Sequence, residues 1–529
     1  MGFEGKEMTK IINVLLFVII LFLLIVSFLF AVGLTENAVW EANLTGVRFS
    51  SVAFGDVNND NMSDLIVTGC LNDGGQDCEN GVIAKIYTNN GTGLNENITW
   101  EQNLTGIGHG SAAWGDIDND GKLDLVLSGC TNARDLSCNG QLLTKIYINN
   151  GTVLIENISW QQNLTGVWKG NVALTDIDND GRLDLGLIGT TTISKIAKIY
   201  INNGSSLMEN NNWQNNLTGL DDSSLTFGDI NNDGKVDLGT TGEDTNSNKK
   251  TIIYINNGSS FIESLIWEQD LKQASQSGII FGDYDNDGDM DSVLMGCCDF
   301  LYTYKNNISS LEEFQTDTTD NGLLIGIFAG SFAFGDYDND GYLDFAVIGR
   351  ENGRNRIYQN NKSGYFSIND TTGNELQSDD FQHGALAWND IDKDGDLDLT
   401  VVGFNYNATI LDKKIYISNS SLYINNSFPY APSTFDNHSL ANGNIFLGWN
   451  NGSDNQTISH GLYYNLRVGT TSGGNQIVSG VFGGSSGGEW RGGGPASGYF
   501  GNMMQRRNIS LVGSRFQVNT TYYWSVQTI

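Results

Sequence analysis

One short acidic run occurs seven times in this 529-residue chain, and that recurrence constrains the fold more than any other feature. The runs open at Asp56, Asp116, Asp176, Asp229, Asp283, Asp336 and Asp390, spaced 60, 60, 53, 54, 53 and 54 residues apart. A fixed period of this size marks one supersecondary unit repeated in an array. Each unit carries four short apolar stretches. In the second they are Ser111 to Trp114, Leu125 to Leu127, Lys145 to Ile148, and Ile158 to Trp160 running on to Leu164. Stretches rich in Val, Ile, Tyr and Trp and bounded by Gly and Asn read as strands. After residue 33 no helical period is sustained. Four strands per unit make a propeller blade, so the expected fold is all-β: a seven-bladed β-propeller over residues 38–428. Val39 to Leu44 matches the fourth stretch of later units, and the seventh unit loses that stretch after Ile417. The N-terminal segment is therefore expected to supply the outer strand of the last blade and close the ring.

The acidic loop lies between the first and second strands and reads Asp-x-Asp/Asn-x-Asp-Gly-x-x-Asp. Its oxygen donors are Asp56, Asn58, Asp60 and Asp64; Asp116, Asp118, Asp120 and Asp124; Asp176, Asp178, Asp180 and Asp184; Asp229, Asn231, Asp233 and Asp237; Asp283, Asp285, Asp287 and Asp291; Asp336, Asp338, Asp340 and Asp344; and Asp390, Asp392, Asp394 and Asp398. Side chains at positions 1, 3 and 5 converge as the loop curls, and Gly at position 6 permits the sharp turn. Such a set of hard oxygens suits Ca²⁺, one ion per blade, with the carbonyl of position 7 and the carboxylate of position 9 completing the shell. An EF-hand starts similarly but needs Glu at position 12 and flanking helices. Here position 12 is apolar (Val67, Leu127, Leu187) and the flanks are strands. Two carboxylates about 4 Å apart repel by roughly 4 kcal/mol at an effective dielectric near 20, so three or four in one loop call for a dication. The first copy departs from the pattern, with Asn61 in place of Gly; Asn tolerates the left-handed conformation.

Joined to the preceding Phe-Gly-Asp runs, such as Phe54-Gly55-Asp56 and Phe334-Gly335-Asp336, these loops resemble FG-GAP (VCBS-type) repeats, as in the propeller of integrin α subunits. The resemblance covers residues 38 to 425. It implies calcium in the loops on the lower face and a ligand on the upper face, and it names no ligand. From about Ser433 to Ile529 the chain changes character. Thr521 to Val526 resembles strand F of a fibronectin type III sandwich, with Tyr522 at a tyrosine corner. A Gly-rich stretch, Gly483 to Gly498, interrupts this second domain, and the sequence stops at Ile529 where a last strand is expected, so either it is a fragment or the sandwich is incomplete.

Compartment is read from three features. Ile11 to Val32 is an almost unbroken apolar run behind Lys6 and Lys10, long enough to cross a bilayer. Residues 1–33 are either a retained membrane anchor or a signal peptide cleaved near Ala31-Val32-Gly33. Cys70 with Cys78, and Cys130 with Cys138, are equally spaced and read as two disulfides in an oxidising compartment. Zinc is the rival, but no histidine stands at ligand spacing beside either pair. Cys297 and Cys298 are adjacent, and their state is open. Roughly twenty N-x-S/T sequons, including Asn43-Leu44-Thr45 and Asn163-Leu164-Thr165, are potential glycan acceptors, although an Asn-rich chain generates them by chance.

A net charge of −33 excludes a nucleic-acid partner, which would need a basic face. The upper face carries the loops joining strand four to the next strand one, and those joining strands two and three. The first set places Phe49, His109, Trp168, Lys169 and His383 there as ligand-contacting residues, expected to be exposed aromatics beside polar groups. An adhesion or recognition protein binding a cell-surface protein or glycan is the expected function, and no enzyme. A polysaccharide lyase, hydrolase or lectin on the same scaffold is the second reading, by fold analogy. A structural component of a surface layer is the third.

Overall fold

The computed structural model describes residues 34–71, 78, 81–134, 137–138, 140–276, 278–296, 300–316, 328–350, 355–364, 366–368, 376, 380–418, 430–440, 445–453, 464–470, 482–486, 508–511, 516 and 520–528. The apolar run Ile11 to Val32 and the Cys297-Cys298 pair lie outside the described residues. Among the described residues no helix is long and apolar enough to cross a membrane.

Seven antiparallel sheets form the blades of a propeller. Blade 2 is typical, with strands Gly108–Gly115, Asp124–Cys130, Leu142–Asn149 and Leu154–Glu156 in that order from the axis outward. The first strands of neighbouring blades pack on one another all the way round, blade 7 (Phe381–Asn389) against blade 1 (Arg48–Gly55). Trp114 of blade 2 is fully buried and donates its indole N–H to the Ala53 carbonyl of blade 1 at 3.1 Å.

Closure of the ring by an N-terminal outer strand is observed, but the strand is Leu34–Glu36, not Val39 to Leu44. It pairs antiparallel with Ile410–Ser418, Leu34 opposite Ser418. The same offset recurs in other blades. The fourth strand is a three-residue piece such as Leu154–Glu156, and the Trp-containing stretch expected to be a strand is one helical turn, Ile158–Gln161. Asn157 caps that turn by accepting from Ser159 N. Trp160 is buried, and the Gln161 side chain accepts from Ile146 N at 2.9 Å, fastening the turn to the third strand. An Asn cap outcompetes strand pairing here because its side chain satisfies the first free amides.

The turn leads into Asn-Leu-Thr-Gly, and this tetrapeptide is a clasp between blades. Asn103 Nδ2 donates to the Leu154 carbonyl of the next blade at 2.9 Å, and Thr105 N donates to the Tyr147 hydroxyl at 3.0 Å. Copies at Asn43 with Thr45 and at Asn216 with Thr218 make the same pair of contacts, to Leu94 and Tyr87 and to Phe261 and Tyr254. Gly106 closes the clasp, since a Cβ there would lie 2.4 Å from the Val82 carbonyl oxygen.

The C-terminal part contains a three-stranded sheet (Phe435–Ser439, Ile445–Trp449, Asn508–Leu511) and a two-stranded one (Tyr464–Gly469, Tyr523–Thr528). They share a small core of Leu447, Trp449, Tyr464, Leu466, Val468 and Val526. The fibronectin type III resemblance of this region rests on sequence alone. Within the Gly-rich region, Phe482–Ser486 is a strand that pairs with the inner edge of blade 2, Ser485 opposite Ala113.

Candidate functional site

Each acidic loop is held by its own carboxylates. In blade 2, Asp116 accepts from Asp120 N at 2.9 Å and from Gly121 N at 2.8 Å, while Asp120 accepts from Lys122 N at 3.0 Å. The position-1 pattern repeats at Asp56, Asp176, Asp229, Asp283 and Asp336. Position 6 adopts positive φ in every copy, from 84° to 98° at the six glycines and 65° at Asn61, as the curl requires.

Position 9 is the anchor. Asp64, Asp124, Asp184, Asp237, Asp291, Asp344 and Asp398 are all wholly buried. Asp124 accepts from Ile117 N at 2.9 Å and from Asn149 N at 2.8 Å, joining the loop to the end of the third strand. Burial pushes these carboxyls up, and repulsion from the other loop carboxylates adds to it. Asp64 is raised to about 7, Asp237 and Asp398 to about 8, and Asp124, Asp184, Asp291 and Asp344 well above the usual value of 3.8. At position 1, burial takes Asp336 to about 8.

The donor set fits a calcium ion. Carboxylate oxygens of Asp116, Asp118 and Asp124 lie within 4.8 Å of one another, as do those of Asp176, Asp178 and Asp184, of Asp283, Asp285 and Asp291, and of Asp336, Asp338 and Asp344. Two oxygens sharing one Ca²⁺ at about 2.4 Å each can be no more than about 4.8 Å apart. A cation there would hold the raised carboxyls in their ionised form. Basic side chains meet part of the same need. Lys122 pairs with Asp120, Arg182 with Asp180, Lys235 with Asp233, and Lys305 with Asp285 at 2.7 Å.

Two sets of asparagines escaped the sequence reading. Position 4 holds Asn59, Asn119, Asn179, Asn232, Asn286 and Asn339, all at φ between 55° and 59°. Five of them reach the next loop: Asn119 donates to the Gly181 carbonyl, Asn179 to Gly234, Asn232 to Gly288, Asn286 to Gly341 and Asn339 to Gly395, at 2.7 to 3.2 Å. The second set ends the third strands. Asn149 is buried and donates to the Val57 carbonyl of the preceding loop at 2.8 Å and to Leu123 at 3.0 Å. The recurrence of Asn at both positions was visible in the sequence; its purpose needed the neighbouring blade.

On the opposite face, Phe49, His109, Trp168, Lys169 and His383 do come together, but not as an exposed surface. Phe49, His109, Trp168 and His383 are buried, from 1 to 7 % exposed. The cause is a bulge at the start of the first strands, where Phe49, His109, Lys169 and His383 take φ between 49° and 52°. Phe49 stacks on His109 at 3.9 Å and packs on His383 at 4.5 Å, His109 lies 5.7 Å from Trp168, and Lys169 sits over the Trp168 ring at 5.2 Å. Both predicted disulfides form, Cys70–Cys78 and Cys130–Cys138, and three of their cysteines join Phe49 and Trp168 in one cluster. His109 stands close to Cys70 and Cys78, a proximity that spacing along the chain concealed. The two sulfurs are bonded to each other, and a disulfide offers no thiolate for zinc.

An open groove of about 620 Å³ lies on this face between blades 2 and 3. Leu142, Thr165, Thr191, Ile193, Ile196 and Lys198 line it, and Ile193 is 92 % exposed.

The sequence profile of the FG-GAP-like repeat matches residues 56–127 and 336–401, the acidic loops of blades 1, 2, 6 and 7 with their flanking strands. The chain carries FG-GAP-like repeats on a seven-bladed propeller. No curated protein matches the chain of this FG-GAP propeller. Among solved structures it is similar to the Photorhabdus luminescens Tc holotoxin pore (12 % identity, TM-score 0.28), covering 83 % of this chain and 21 % of the toxin chain. The chain thus spans about a fifth of that protein. It is also similar to BBS1N in complex with ARL6DN (12 %, TM-score 0.42, 74 % of this chain and 97 % of that one). A third likeness is to the rhamnogalacturonan lyase YesW (14 %, TM-score 0.34, 81 % and 84 %). Nothing about this propeller's ligands follows from them. FG-GAP repeats and two disulfides fit an extracellular protein.

Proposed function

We propose that this FG-GAP propeller is a calcium-stabilised extracytoplasmic recognition protein that binds a cell-surface protein or glycan on the face opposite the acidic loops. The observation that carries the reading is the set of carboxylate oxygens gathered within 4.8 Å in blades 2, 3, 5 and 6, which supports a metal-held frame on one face and leaves the other for contact. The groove between blades 2 and 3 supports it. Hydroxyls of Thr165, Thr191 and Thr192 and the amide of Gln141 surround the aliphatic Ile193, a mixture suited to sugar hydroxyls or a polar peptide. Binding is favoured over catalysis because His109 and His383 are packed on Phe49, and the repeated carboxylates serve the loops.

The test is a glycan and protein array probed with the purified chain in calcium and in EGTA. Binding in calcium should vanish with EGTA. Ile193→Asp should weaken it at least tenfold without moving the melting temperature. A ligand bound equally well by the variant would place recognition elsewhere, and an array without any calcium-dependent ligand would remove the reading.

A further inference from the structure

Two repeated sets among the sequons of this chain are treated in opposite ways by the fold. One class is the clasp, Asn43, Asn103 and Asn216, whose side-chain nitrogen donates to the next blade. The other sits at hairpin tips between third and fourth strands: Asn90-Gly91-Thr92, Asn150-Gly151-Thr152 and Asn257-Gly258-Ser259, while the tip copies Asn203 and Asn307 differ in donating Nδ2 to Ser206 and Glu312. There the oxygen does the structural work. Asn150 Oδ1 accepts from Thr152 N at 3.0 Å, Thr152 Oγ1 at 2.9 Å and Val153 N at 3.0 Å. Asn90 and Asn257 accept from Thr92 and Ser259 in the same way. Among the described residues nothing accepts from Nδ2 of these three, and all three asparagines and the hydroxyl residues two positions on are exposed.

We infer that Asn90, Asn150 and Asn257 are N-glycan acceptors, and that the clasp asparagines are sequons in pattern only. The acceptor must offer its amide nitrogen. Among the described residues that nitrogen meets no acceptor at Asn90, Asn150 and Asn257, and it is committed at the clasps. In the transfer, Nδ2 bonds to the anomeric carbon of an oligosaccharide carried on a lipid phosphate. The carbon–oxygen bond to phosphate breaks, the phosphate leaves with the lipid, and the amide proton passes to a base of the membrane transferase. Both the disulfides and the FG-GAP repeats fit the compartment in which such transfer occurs.

The tips also have a defined place. The residue before each acceptor, Asn89, Asn149 or Asn256, donates its backbone N–H to the buried position-9 carboxylate of the same blade at 2.8 to 2.9 Å. The acceptors therefore lie on the acidic-loop face, in blades 1, 2 and 4. Glycans there would sterically cover the frame and leave the opposite face open.

Substituting Asn by Asp separates the two classes, because Asp keeps the oxygen and loses the nitrogen donor. The full chain, purified from the cells that make it, is analysed by glycopeptide mass spectrometry. Glycan mass is expected on peptides bearing Asn90, Asn150 and Asn257 and absent from those bearing Asn43, Asn103 and Asn216. Asn150→Asp should remove one glycan and leave the melting temperature of enzymatically deglycosylated protein unchanged. Asn103→Asp should lower that temperature by several degrees and leave the glycan count unchanged. Unmodified tips in disulfide-bonded protein, or clasp sites as fully modified as the tips, would overturn the inference.

Discussion

At the scale of single residues, asparagine does more in this fold than its polar character suggests, and adjacent asparagines do different things. Asn149 is buried and makes two side-chain donations, to Val57 and Leu123, while its oxygen accepts from Gly151 N. Asn150, one residue on, is exposed, and among the described residues its side chain uses only its oxygen. Leaving buried carbonyls without donors costs about 1–3 kcal/mol each. Asn149→Ala should therefore lower stability by about 2–4 kcal/mol, read as a shift of the denaturation midpoint in urea, whereas Asn150→Ala should cost under about 1 kcal/mol. Equal effects would mean that the tie between neighbouring loops contributes nothing. The oxygen donors of the acidic loops were legible from spacing, because positions 1, 3, 5 and 9 depend only on how one loop curls. The roles of Asn119 and Asn149 were not, because each acts on a loop of another blade, 60 or more residues away.

Secondary-structure elements were legible to the extent that they repeat with β-branched and aromatic residues. The first three strands of each blade stand where the apolar stretches predict them. The fourth was misplaced, since Ile158 to Trp160 carries the residue types of a strand while Asn157 caps it as a helical turn. A cap is a local signal that composition hides. The upper-face residues were gathered correctly but given the wrong exposure, since the bulge that turns Phe49 and His109 inward follows from register and not from residue type. The loops joining second and third strands carry the disulfides. Cys130–Cys138 closes a short loop, worth about 2–3 kcal/mol by chain entropy. Cys130→Ala with Cys138→Ala should cost at least that much, since Cys130 is wholly buried. A reducing agent should shift the wild-type denaturation midpoint in the same direction and leave the double variant's unmoved. A wild-type midpoint indifferent to reduction would show that the loop is held by packing alone.

Across the whole molecule the balance of charge decides how the ring holds together. Seven dications would carry +14 and take the net charge from −33 to −19. Without them the buried carboxyls must protonate or repel. Asp237 and Asp398 titrate near 8 in the folded chain against a usual 3.8, so between those pH values the folded state holds protons that the unfolded state has released. Stability of metal-free protein should then be greatest near pH 4–5 and fall as the pH rises towards 8. Calcium binds the ionised carboxylates, so its contribution grows over the same interval. The gap between melting temperatures in calcium and in EGTA should therefore be small at pH 5 and widen steadily to pH 8. Calorimetry across that range separates this from ordinary acid denaturation, in which metal-free protein gains stability as the pH rises from 5. If the EGTA curve climbs with pH, or the two curves coincide at pH 8, the loops are bridged by Lys122, Arg182 and their counterparts, and the face needs no ion.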